Sequence, residues 1–147
     1  MKKLLCVCVC VIMLLSCLTA CNFHSNLNDS TGITKFDAHP QIEKMLAALT
    51  AGDTDAALAL MHPDVREQAD YAVAQTSEYL QGRSVVSLET VNRSVYTSKG
   101  SAGNIRQESG TLRVTMDQAE TVAISVVYLT SDAGEGFSSF QVVLGAM

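Results

Sequence analysis

The chain lacks tryptophan and has few basic residues. Four tyrosines and four phenylalanines are its only aromatic residues, so a sugar site built on a platform of stacked rings is not expected, although tyrosine could contribute to another kind of site. Once Lys2 and Lys3 are set aside, eight Lys and Arg remain against fifteen Asp and Glu, a net charge of −7. This balance argues against nucleic acid as a partner and against a basic face that lies on a membrane.

Cysteine is confined to the first 21 residues. The five cysteines are Cys6, Cys8, Cys10, Cys17 and Cys21. The rest of the chain therefore has no disulfide and no thiolate metal ligand, and only its hydrophobic core can stabilise it. His39 and His62 are too far apart in sequence to make a metal motif, and no third ligand is suggested. We expect neither a metal nor a cofactor.

Residues 1–20 have the organisation of a secretory signal peptide. A positive Met1–Lys3 precedes an uncharged apolar run from Leu4 to Leu15, and small or polar residues follow it. The alternative is a retained transmembrane helix. Leu4 to Ala20 supplies seventeen residues where a span needs about 20, so such a helix would be short.

The segment Leu18-Thr19-Ala20-Cys21 resembles the bacterial lipobox. The resemblance implies cleavage between Ala20 and Cys21, a diacylglyceryl thioether on Cys21, and often a third acyl chain on the new amino terminus. Two or three acyl chains hold a protein stably in a bilayer, whereas one does not. We therefore expect a lipid anchor at Cys21 and a location on the extracytoplasmic face of the cell membrane.

Two regions follow the signal peptide. Residues 21–35 comprise the lipidated cysteine and a stretch rich in Asn, Ser and Thr without periodicity, which is typical of a flexible tether. Residues 36–147 are long enough for one domain with one core.

The first half of this domain has helical periodicity. Asp37 is a suitable N-cap for a first helix with Pro40 in its first turn and Gly52 after its end. Its apolar stripe consists of Ile42, Met45, Leu46 and Leu49.

Two further helices are predicted before the pattern changes. A second helix starts with Asp53 or Thr54 as cap and stops at His62-Pro63, because a residue before proline is disfavoured in a helix. A third starts with Asp64 as cap, runs to about Gln81 and is closed by Gly82.

After Gly82 the period changes from 3.6 to 2, which predicts strands. The four predicted strands are 84–98, 105–116, 121–130 and 137–144. Strand 121–130 is apolar on both faces, so it is either central or covered by another layer or subunit. The residues expected to face inward are Leu112, Val114 and Met116; Val122, Ile124 and Val126; and Phe140, Val142 and Leu144.

Helices followed by strands predict an α+β fold with three helices packed on one face of a curved four-stranded antiparallel sheet. The phrase from Leu46 to Leu58 (LAALTAGDTDAAL), with His62-Pro63-Asp64 after it, resembles the opening of the nuclear transport factor 2-like, or cystatin-like cone, superfamily. That resemblance implies a sheet curled around the long helix, an apolar pocket inside the cone, and an outer sheet face that often dimerises.

Enzymes of this superfamily place an acid or a base inside the cone. No such motif maps onto this sequence, and the listed inward-facing residues include no carboxylate and no histidine. The candidates for catalysis are His62, Asp64 and Tyr128, and the candidates for ligand binding are Arg66, Tyr71, Tyr79 and Tyr128. Each has a structural alternative: His62 as a helix terminator, Asp64 as an N-cap, Arg66 as a solvated or paired cation, and Tyr79 and Tyr128 as core residues with their hydroxyls at the rim.

Three functions remain open. The first is a non-catalytic lipoprotein whose domain binds a small apolar ligand or an envelope protein. The second is an isomerase- or cyclase-like enzyme that uses Asp64, His62 or a pocket tyrosine. The third is a structural or assembly role, with a homodimer formed through the outer sheet face.

Overall fold

The computed structural model describes residues 35–100, 103–117 and 120–143. They form an α+β fold with several helices and a four-stranded antiparallel sheet, and this class is the predicted one. The predicted signal peptide, Cys21 and the tether up to residue 34 lie outside the described residues. Within the described ranges, no helix combines the length and apolar character needed to cross a bilayer.

Helix α1 spans His39–Ala51 and buries the predicted apolar stripe. Its end is also as predicted: Gly52 adopts a left-handed φ of 73°, and its N–H donates to the carbonyl groups of Ala48 and Leu49. Its start is different from the prediction. The N-cap is Ala38, and the carboxylate of Asp37 binds arginines of the sheet instead of capping the helix.

The described residues contain four helices where three were predicted. Helix α2 spans Thr54–Ala59 and is capped by Asp53, whose carboxylate accepts the N–H of Ala56. The predicted third helix is divided into α3, Pro63–Arg66, and α4, Asp70–Leu80. Asp70 in the first turn of α4 favours a new helix start there, because an acidic group near a helix N-terminus is stabilising.

The sheet has the strand order β1-β2-β3-β4, and each strand pairs antiparallel with the next along the chain. The strands are β1 Val85–Gly100, β2 Gly103–Met116, β3 Thr121–Ser131 and β4 Gly134–Val143. The connection between predicted strands 121–130 and 137–144 is shorter in the structure, because pairing continues to the Ser131–Gly134 pair. β3 lies between β2 and β4, so the strand with two apolar faces is an interior strand.

The space between the helices and the sheet is filled by side chains. The predicted inward-facing residues of β2 and β3 are buried, as is Phe140, while Val142 is partly buried and Leu144 lies outside the described residues. They pack with Ile42, Met45 and Leu49 of α1. A one-residue bulge at Ser138 of β4, together with two irregularities in β1, increases the local twist of the sheet.

Candidate functional site

The inner face of the sheet carries a buried carboxylate that the predicted inward-facing set missed. Glu108 of β2 is fully buried and lies on the same face as Leu112, four residues further along the strand. It pairs directly with Tyr128 of β3, so the two side chains are cross-strand neighbours. A carboxylate and a phenol therefore meet inside the fold.

The Glu108 carboxylate is held by three donors of the protein itself. Its Oε1 accepts the backbone N–H of Asp37 at 2.9 Å and the Nε–H of Arg93, and its Oε2 accepts the N–H of Ala38 at 3.2 Å. The Asp37 carboxylate in turn binds Arg93 at 2.8 Å and Arg106. Two carboxylates thus meet two guanidinium groups, and Glu108 is engaged in positioning the segment that leads into α1.

A cavity of about 230 Å³ adjoins this cluster at the start of α1. Its lining includes Asp37, Arg106, Tyr128 and Glu135. Burial raises the pKa of the Tyr128 phenol, and the negative charges of Glu135 and Glu108 raise it further. At neutral pH Tyr128 is therefore a protonated phenol that can donate a hydrogen bond. Its ring packs edge-on against Phe137 with the ring centroids 5.0 Å apart.

His62 is fully buried and is the N-cap of α3. Its Nδ1 accepts the backbone N–H of Asp64 at 3.3 Å, so the proton lies on Nε2, which is 3.0 Å from Ser131 Oγ. Asp64 is the exposed neighbour, with a carboxylate oxygen 3.6 Å from Nδ1. Phe137 separates His62 from Tyr128: its ring contacts Tyr128, and its carbonyl accepts the N–H of His62.

The other predicted ligand-binding residues lie in separate places. The Arg66 guanidinium donates to the carbonyl groups of Met61 and Ala59, where α2 ends. Tyr71 is 73% exposed, and its hydroxyl accepts a hydrogen bond from Gln75. Of these candidates, Tyr79 is the one that lines the larger cavity described next. The predicted residues therefore do not converge on one site.

That larger cavity is a groove of about 620 Å³ between α4 and β4. The α4 wall is one helix face, and the opposite wall is the end of β4. The lining residues are Ala72, Gln75, Thr76, Glu78, Tyr79, Arg83, Gln141 and Val142. We call this the α4–β4 groove.

Two lining residues of the α4–β4 groove, Tyr79 and Arg83, form a bonded trio with Glu120. The Arg83 guanidinium stacks 4.7 Å above the centre of the Tyr79 ring and forms an ion pair with Glu120. The Tyr79 hydroxyl donates to the same carboxylate at 2.9 Å. This hydrogen bond raises the pKa of Tyr79, and burial adds to the effect. The trio fixes the position of two lining side chains.

A second groove of about 480 Å³ lies between α1 and the start of β1. Val86, which is 67% exposed, lines it together with Glu43, Ala47 and Thr50. Both edge strands of the sheet therefore have a groove between them and a helix.

Within residues 35–100, 103–117 and 120–143, no three His, Cys, Asp or Glu side chains are grouped as a metal site would require. No protein-family model matches the chain, and no curated protein matches it significantly.

Proposed function

We propose that this protein is a lipid-anchored extracytoplasmic binding module whose α+β domain binds another protein at the α4–β4 groove. The observation that supports this most directly is the position of the cavities in the fold. The layer between the helices and the sheet is filled by the protein's own side chains, while cavities of about 620 and 480 Å³ are open grooves at the sheet edges.

A protein partner suits this geometry better than a small apolar ligand. Small-molecule sites are typically concave, largely apolar and able to bury most of the ligand. The α4–β4 groove instead mixes small apolar residues with Gln75, Glu78, Arg83 and Gln141, and it opens to solvent. A polypeptide offers backbone groups and side chains of both kinds to such a surface.

The fully buried side chains of Glu108 and His62 are already used for positioning. Glu108 is bound by three donors, and both ring nitrogens of His62 have hydrogen-bonding partners. A general base needs a free acceptor directed at the substrate. These contacts favour binding over an isomerase- or cyclase-like activity.

The cone-like superfamily remains our proposal for the fold. Helices that precede a four-stranded antiparallel sheet, two long first strands, and bulges that increase the twist all suit a curled sheet. A homodimer through the outer face of the sheet is the alternative assembly. Sedimentation of the purified protein over a range of concentrations tests it, since a dimer would shift to monomer on dilution.

The proposed anchor is the lipid on Cys21, which would keep the groove at the extracytoplasmic membrane surface. Labelling cells with radioactive palmitate and separating their membranes tests this. The wild-type chain should carry label and the Cys21→Ala variant should not. A Cys21→Ala chain that stays fully membrane-bound with its signal uncut would instead establish a transmembrane helix.

Site-specific photo-crosslinking in cells tests the binding surface. A benzoylphenylalanine placed at Gln75, an exposed residue in the groove, should crosslink to another protein. Gln68 is the matched control, because it is an exposed glutamine of the helical region that does not line the groove. Equal crosslinking from both positions, or none from Gln75, would contradict the proposal.

A further inference from the structure

One edge of the sheet is only partly covered by the residues that the structure describes. β4 pairs with β3 along one side, and at its start the other side pairs with the segment Leu60–His62. The N–H of His62 donates to the carbonyl of Phe137 at 2.9 Å, and the N–H of Phe137 donates to the carbonyl of Leu60 at 2.9 Å. The chain thus uses this edge to hold a short extended segment in parallel.

The pairing with this segment stops at Pro63. Pro63 begins α3, and the carbonyl of His62, which would continue the ladder, instead accepts the N–H groups of Val65 and Arg66, so the chain leaves the edge there. Among the described residues, no backbone group from outside the sheet bonds to β4 beyond Phe137. Beyond that point, Gln141 and Val142 of β4 line the α4–β4 groove.

The register identifies the peptide groups of β4 that point away from β3. Phe137, opposite Tyr128, directs its N–H and its carbonyl away from β3. Antiparallel pairs alternate between bonded and non-bonded. Phe140 and Val142, beyond the bulge at Ser138, pair with every second residue of β3 counting back from Tyr128, so their N–H and carbonyl groups also point away from β3. Two successive edge positions of β4 therefore offer a donor and an acceptor each.

The groove also carries a negative charge that has no partner among the described residues. The exposed carboxylate of Glu78 makes no hydrogen bond or ion pair with any described residue, whereas Arg83 is already paired with Glu120. Ala72 and Thr76 are small residues on the same wall. The groove thus combines an open strand edge, room for side chains and an attraction for a cation.

We propose that an extended segment of a partner protein binds in the α4–β4 groove as a fifth strand on β4, with apolar residues at alternate positions and a Lys or Arg facing Glu78. Strand addition of this kind takes affinity from main-chain hydrogen bonds and specificity from the pockets of alternate side chains. The inference rests on the proposed function and names the chemistry of the partner.

A selection from random dodecapeptides displayed on phage tests the inference, with the full lipidated chain in detergent as the target. Enriched peptides should alternate apolar residues and contain a Lys or Arg. An enriched peptide, added to the same protein, should slow amide hydrogen exchange at Phe140 and Val142 by about tenfold or more.

Three variants make the readout specific. Glu78→Lys should weaken binding of the enriched peptide by about fivefold or more, and Glu67→Lys, an exposed reversal away from the groove, should not. Val142→Pro removes an N–H that faces the groove and should abolish binding. The variant should still fold, since proline is tolerated on an edge strand. Glu78 is exposed, so its replacement keeps the test decisive even if Val142→Pro fails to fold.

The outcomes separate this inference from the proposed function. Peptides that bind without protecting Phe140 and Val142, or that bind Glu78→Lys as well as wild type, would overturn strand addition but leave a binding module. Failure to enrich any peptide over the bare support would also overturn strand addition. Crosslinking from Gln75 would then decide whether protein binding itself survives.

Discussion

Glu108 accepts the backbone N–H of Asp37 at 2.9 Å across a sequence separation of 71 residues. The bond joins the inner face of β2 to the segment that precedes α1. With the N–H of Ala38 and the guanidinium of Arg93 bound to the same carboxylate, it sets where the first helix starts. No side chain of the local sequence caps that helix, so a strand residue supplies the acceptors.

Replacing Glu108 should therefore destabilise the whole domain. Glu108→Ala leaves the Nε–H of Arg93 and two backbone N–H groups without their acceptor in a buried place, and we expect the free energy of unfolding to fall by about 3–5 kcal/mol. Urea denaturation followed by circular dichroism measures the change.

Glu89→Gln is the matched control, because Glu89 forms an exposed ion pair with Arg113 at 2.9 Å. Such a pair contributes less than about 1 kcal/mol. Equal losses in Glu108→Ala and Glu89→Gln would show that the buried cluster does not hold the helix to the sheet.

His62 and Ser131 should be energetically coupled. Their side chains are 3.0 Å apart, and Ser131 Oγ also accepts the N–H of Ala133 in the β3–β4 turn. We expect His62→Ala to cost about 2–4 kcal/mol and the double-mutant cycle with Ser131→Ala to give a coupling of about 1 kcal/mol. Additive losses in urea denaturation would contradict a direct hydrogen bond.

Gly136 is required by the close approach of the α2–α3 connection to β4. A Cβ at this position would lie 2.5 Å from the backbone nitrogen of His62 and 2.7 Å from the carbonyl carbon of Met61. Gly136→Ala must displace backbone, and we expect it to lower the free energy of unfolding by about 2 kcal/mol or more.

Gly100→Ala is the control for this substitution, because nothing lies within 4 Å of the Cβ that it would add. Its effect on thermal and urea unfolding should stay within about 0.5 kcal/mol. If Gly136→Ala were as mild as Gly100→Ala, the segment Leu60–His62 would not be held against β4 in solution.

Tyr128 should make stability depend on alkaline pH. Its pKa is raised in the folded state by burial and by the neighbouring carboxylates, so the folded protein holds the phenolic proton more tightly than the unfolded chain does. The resulting stabilisation is fully present below the ordinary tyrosine pKa of about 10 and is lost as pH rises through the raised value.

We therefore expect urea midpoints to fall less steeply above about pH 10 in Tyr128→Phe than in the wild type. Tyr71→Phe is the control, since it removes a phenol that is 73% exposed. A Tyr128→Phe curve that runs parallel to the wild-type curve would show that this phenol does not titrate differently on folding.

Residue patterns along the chain predicted most of the secondary structure. The stripe from Ile42 to Leu49 and the change of period after Gly82 are local signals, and both the α+β class and the four strands follow from them. Periodicity did not reveal the break between α3 and α4, because apolar spacing is the same for one helix and for two helices in sequence. The α3 segment ends where Arg66 turns back onto Met61 and Ala59.

The buried cluster around Glu108 and the partial cover of the β4 edge were much less predictable. Alternation along β2 offered one signal, since Glu108 has the same parity as Leu112, Val114 and Met116. The partners of Glu108, and the pairing of Met61 with Phe137, join residues far apart in the chain. No local pattern encodes such contacts.

The sequence by itself determined the fold class and the order of helices and strands along the chain, because both depend on neighbouring residues. Lipid attachment at Cys21 stays a prediction. Only the tertiary structure decided which polar groups are buried and which strand edge stays open. Burial and edge exposure are set by packing between distant segments, and the chain leaves the β4 edge where α3 begins at Pro63. The α4–β4 groove is a product of that departure and of the position of α4.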